Sequence, residues 1–184
     1  GFHGVLQHVD ERVLREMGEL ADREGITSFK AYLTYDDRLD DGALFQVLRQ
    51  AKEDGIVIPA HCENDGVVNY LRGWYKAQGL TQPIYHARSR PARCEAEAVS
   101  RLLHLAAMAG EAPVYVVHLS SAAALAEVRK AAHLGITHFQ IDDGWQVGKS
   151  PNSAVAKGSF KNIWDNPDYW KPDPEKYPRG LHPV

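Results

Sequence analysis

The chain has 184 residues, 44% of them hydrophobic and 24% charged, with a formal net charge of −3; such proportions suit one globular domain with a real core. That balance excludes a nucleic-acid footprint, and no apolar run approaches the length of a membrane span. Two cysteines, Cys62 and Cys94, exclude a disulfide framework and point to a reducing, cytoplasmic setting.

The opening GFHGVLQHVDERVL has neither the pattern of a signal peptide nor an initiator Met, which reads as an excised piece or a processed chain. Residues 10–24 place Val13, Leu14, Met17, Leu20 and Ala21 on one face and predict an amphipathic helix. Asp10 suits its N-cap, and Gly25 the position just past its end. A strand is expected from Ile26 toward Tyr35, then a charged loop over 36–41 and a second helix over 42–54 that stops at Gly55. The next strand, 56–61, contains Pro59, which predicts a bulge or a strand end because proline donates no ladder hydrogen bond.

Residues 64–78 read as a helix, 79–91 as a loop and 95–109 as a strong helix with Ala98, Leu102, Leu105 and Ala106 on one face. A strand over 114–118 and a helix over 121–133 follow, capped by Ser120 or Ser121. A fourth strand is expected over 136–141. Past Trp145 the pattern ends, and Trp164, Tyr169, Trp170 and Tyr177 suggest packing or ligand contact for an irregular segment.

The pattern therefore predicts an α/β fold: a partial (βα) barrel of about four parallel strands with helices, plus an irregular aromatic-rich C-terminal segment. A full barrel needs about 200 residues or more. Four strands alone leave sheet edges and one face open, so a homo-oligomer covering the open sheet is expected.

Lys30, His61, His118 and the pair Asp142–Asp143 fall in or at the ends of these strands. Parallel βα units put strand C-termini on one rim, where active sites lie. Taken singly, each histidine reads as a rim or core residue. Sharing a rim makes them a candidate metal pair, since imidazole suits zinc. Glu63 and Asn64 could add oxygen ligands or orient them. A lysine in an apolar strand is paired, shifted, modified or carries its ammonium to the rim. Arg88–Ser89–Arg90–Pro91 reads as a solvated loop that could bind an anion.

The stretches SFKAYLTY, HCEN, HARSRPARCEAEAVSR and VYVVHLSS occur in an order and spacing that resembles the dihydropyrimidinase/hydantoinase family of cyclic amidohydrolases, over residues 1 to about 131. The resemblance implies a (βα)8 barrel with two metals, usually zinc, bridged by a carboxylated lysine. Lys30 matches that lysine, His61 and His118 match the histidines of one metal, and Tyr35 matches a tyrosine that polarises the substrate carbonyl. The implied substrate is a small cyclic amide. Departures are equally specific. No His-x-His pair precedes residue 26, His3 and His8 being spaced wrongly, and the late aspartate lies beyond the resemblance.

From about residue 132 the chain is similar instead to melibiase-type α-galactosidases, in FQIDDGW and WKPDPEKYPRGLHPV. That likeness implies Asp142, Asp143 and Trp145 as binding residues for a galactoside, although Asp-Asp-Gly is also a good turn. Two segments, 1–131 and 132–184, are thus expected within one structural domain. The main expectation is a recombined or engineered barrel-fragment protein of hydrolase origin, without efficient catalysis, binding zinc at His61 and His118. The alternatives are a metal-dependent cyclic amidohydrolase completed by missing chain parts, and a carbohydrate-binding remnant.

Overall fold

The computed structural model describes residues 2–132 together with Asp168, Tyr169, Lys171 and Pro174. In chain order it contains β1 (Gly4–Val5), α1 (Glu11–Glu24), β2 (Phe29–Tyr32), α2 (Asp41–Asp54), β3 (Ile58–His61), α3 (Asp65–Ala77), α4 (Pro83–Arg88), α5 (Ala92–Met108), β4 (Val114–Val116) and α6 (Ala122–Ala132). The strands form one parallel sheet in the order β1-β2-β3-β4. The partial (βα) barrel expected from the sequence is therefore present.

Local chemistry explains most of the boundaries. Asp10 accepts from the Val13 amide and Asp40 from the Ala43 amide, capping α1 and α2. Both helices stop at glycines in the left-handed region, Gly25 at φ 68° and Gly55 at φ 67°, where a Cβ would be strained. Asn64 caps α3 and Ser121 caps α6 in the same way.

Side chains alternate across each strand, and this separates two faces. Phe29, Ala31, Leu33, Ile58, Ala60 and Val116 join the helix-side core with Leu44, Leu48, Val99 and Leu102. Lys30, Tyr32, His61 and Tyr115 belong to the opposite side and lie outside that core. In the register, Tyr32 stands beside His61, and Pro59 beside Tyr115.

Four expectations are corrected. Pro59 makes neither a bulge nor an end but lies inside β3. Its neighbours Ile58 and Ala60 bond toward β4, so the proline nitrogen faces β2. There the missing rung is bracketed by bonds from Val57 to Thr27 and from Leu33 to His61. The sheet also gains β1, a two-residue strand not expected from sequence. Gly4 lies so close to the Phe29 ring that a Cβ would collide with it. The expected loop 79–91 holds the short helix α4, which starts at Pro83, a residue suited to a first helical turn. Finally, α5 begins at Ala92, three residues before the expected start. The fourth strand expected over 136–141 lies outside the described residues.

The chain divides into two compact units, residues 1–140 and 141–184. In the second, Tyr169 is buried, and Lys171 pairs with Asp168 through both backbone and side chain. No helix among the described residues is long and apolar enough to cross a membrane.

Candidate active site

The C-terminal ends of β2, β3 and β4 deliver three rings to one place. The His61 and His118 rings lie 4.4 Å apart between centroids, edge to face. The Tyr35 ring is 5.0 Å from that of His61, and the Tyr32 ring 6.0 Å. Lys30 Nζ stands 5.4 Å from the Tyr32 ring centre, on the same face of β2. Tyr35, His61 and His118 line a cavity of about 280 Å³ with Glu63, Arg90, Glu95, Ser120 and His86. Lys30 is outside that lining.

Two of the rings sit on strained backbone. Tyr35 has φ 74° and His118 φ 36°, a region few non-glycine residues enter. Such conformations cost on the order of 1–3 kcal/mol and persist where the surroundings over-determine them, often at functional sites.

Charge in the cavity is ordered by Glu63. Its Oε2 meets His61 Nε2 at 2.8 Å, and its Oε1 accepts from Arg90 Nε at 3.2 Å. Burial pushes the Glu63 carboxyl up, but the His61 hydrogen bond and the Arg90 charge outweigh it and hold the carboxyl below its ordinary value. Arg90 is thus largely buried and paired, whereas the sequence suggested a solvated loop; Arg88 does lie outside, over the Tyr85 ring. Asn64, considered as an oxygen ligand, is spent on the α3 cap and on Glu97. Burial pushes the Cys62 thiol up to about 12, the Glu95 charge adding to it, so this cysteine is an inert wall.

Glu95 and Ser120 were not anticipated. Glu95 Oε1 accepts from both the backbone amide and the hydroxyl of Ser120. An acid in the first turn of a helix is so common that the sequence gives no signal of this second task. Glu95 Oε2 and Arg90 Nη1 are buried with no hydrogen-bond partner among the described residues, which is unfavourable for charged groups.

The fit to a metal is partial. A catalytic zinc takes three protein ligands, and no group of three His, Cys, Asp or Glu side chains among the described residues is placed to hold a metal ion. Two imidazoles face each other here, with Lys30 one ring away. These donors fall short of a complete metal site. Asp142, Asp143 and Trp145 lie outside the described residues.

No family model matches the chain. It is 47% identical over 130 residues to D-phenylhydantoinase of Escherichia coli O9:H4 (strain HS), which covers 71% of this chain and 28% of that protein. Among solved structures, D-hydantoinase from Bacillus sp. AR9 is similar at a TM-score of 0.71 and 40% identity, over 73% of this chain and 30% of the other. Dihydropyrimidinase from Brevibacillus agri NCHU1002 gives the same values. L-hydantoinase from Arthrobacter aurescens reaches a TM-score of 0.68 at 27% identity, over 76% and 31%. The chain spans under a third of the length of these relatives, and its matched part is similar to a segment of the hydantoinase/dihydropyrimidinase fold.

Proposed function

We propose that this chain is a segment of a cyclic amidohydrolase that opens a C–N bond of a hydantoin or dihydropyrimidine ring. The observation that carries the reading is the convergence of His61, His118 and Tyr35 on one cavity at the strand C-termini. In the whole protein Lys30, His61 and His118 would serve a metal, most simply zinc with Lys30 carboxylated. The remaining donors would come from chain outside the described residues. The Tyr35 hydroxyl would face the substrate carbonyl and stabilise charge developing on its oxygen. Two imidazoles alone do not make a catalytic centre, so the isolated chain is expected to turn over slowly or not at all. A second copy of the chain would pack on the sheet face opposite the helix-side core.

A hybrid tests this reading. The 130-residue stretch of this chain replaces the matched stretch of the Escherichia coli D-phenylhydantoinase, and phenylhydantoin hydrolysis is followed with zinc added. Hydrolysis well above the buffer rate is expected, with its loss in His61→Ala and His118→Ala hybrids. A folded hybrid that is inactive, or one indifferent to both substitutions, contradicts the reading.

A further inference from the structure

Two charged residues flank the first turn of α5: one reaches the His61 imidazole through a single carboxylate, and the other holds the chain two residues beyond His118. Arg90 donates from Nε to Glu63, whose other oxygen meets His61 Nε2 at 2.8 Å. Five residues on, Glu95 accepts from the Ser120 amide at 2.8 Å and from its hydroxyl at 3.0 Å, two residues beyond His118. We propose that Arg90 and Glu95 are positioning residues: one helix turn holds the rings of His61 and His118 face to edge, through Glu63 and Ser120 respectively.

Three observations support this beyond the bonds themselves. The backbone of His118 is left-handed at φ 36°, so its ring direction depends on whatever pins the following residues. The doubly held Ser120 is such a pin. The unused halves of the two charges, Arg90 Nη1 and Glu95 Oε2, are buried with no hydrogen-bond partner among the described residues. Buried charges left half-paired are unfavourable for folding, which argues that the bonds they do make serve placement of the rings. Lastly, a hydrogen bond at one ring nitrogen of a histidine sets what the other can do. A carboxylate at Glu63 can only accept, so its bond to His61 calls for a proton on Nε2. What the rings are held for rests on the amidohydrolase reading; that they are held does not.

The test is nitrogen-15 NMR of the histidine rings in the full chain, without metal, at a pH where the imidazoles are neutral. Expected in the unaltered chain are His61 as the Nε2–H tautomer, a cross-ring contact between His61 and His118, and a Ser120 amide protected from solvent exchange. Arg90→Ala should shift His61 toward the tautomer mixture of a free imidazole and leave the Ser120 amide protected. Glu95→Ala should expose that amide and abolish the cross-ring contact while His61 keeps its tautomer. Glu95→Gln, which retains an accepting oxygen, should restore both. If neither ring responds, if both substitutions disturb both rings alike, or if Glu95→Gln fails to restore, the proposal is overturned. Should a variant not fold, the unaltered chain decides: an Nδ1–H tautomer at His61 or an unprotected Ser120 amide overturns it, and the opposite pair supports it. Hydrolysis is not read in this experiment, so its failure is distinct from failure of the hybrid enzyme.

Discussion

Single residues carry the chemistry of this chain, and Tyr35 is the one most exposed to test. Its left-handed backbone puts the ring against His61 and under the Arg90 guanidinium, 5.9 Å away. If its hydroxyl stabilises the carbonyl oxygen, Tyr35→Phe in the hybrid should lower kcat about 100-fold with little change in KM. A Phe hybrid as fast as its parent removes Tyr35 from the reaction. Burial raises both thiols, Cys62 and Cys94, so neither should react with an aromatic disulfide reagent until denaturant is added. One fast-reacting thiol in the native chain would contradict that. The shared rim of His61 and His118 was legible in the sequence because they stand at strand ends, where the pattern of parallel units fixes it; Tyr35 was legible only through the family resemblance. Arg90 was visible only as a possible anion binder in a loop, and Glu95 and Ser120 not at all as site residues. Their bonds join residues 25 or more positions apart, and no local spacing encodes such a pairing.

Among the elements, α1, α2, α3, α5 and α6 were legible because their signals are local, whereas the short α4 was expected as loop. Asp40→Ala removes the side chain that caps α2 and should cost about 1 kcal/mol in denaturant unfolding. Leu48→Ala opens a cavity beneath the same helix, at a side chain with no exposed surface, and should cost about 2–5 kcal/mol. Equal losses for the two would place α2 wrongly. Asp10 adds a pH signature. Its carboxyl is held below the ordinary 3.8, chiefly by the Val13 amide. A depressed carboxyl contributes stability above its unfolded value and loses it as pH falls through the folded one. Asp10→Asn, which caps without titrating, should therefore flatten the acid limb of the stability curve relative to the unaltered chain; identical limbs would contradict the cap. The strands were read less well. β1 is two residues long and exists only through its pairing with β2, and Pro59 is tolerated because only one rung of the ladder needed its donor. Neither fact is written in a window of sequence.

For the molecule as a whole, the parallel order β1-β2-β3-β4 gathers residues from across more than 80 positions, Tyr35 to His118, into one cavity. It also leaves a sheet face carrying Lys30, Tyr32, His61 and Tyr115 outside the helix-side core. Light scattering on the purified chain should give at least a dimer if a second copy covers that face, and a folded monomer would exclude it. The chain spans 28% of the curated relative it matches at 47% identity. His61 and His118 are proposed as metal ligands of the whole protein. Elemental analysis of the hybrid enzyme measures this directly: zinc should be retained by the intact hybrid and fall sharply in the His61→Ala, His118→Ala double variant, whereas equal zinc in both would contradict it.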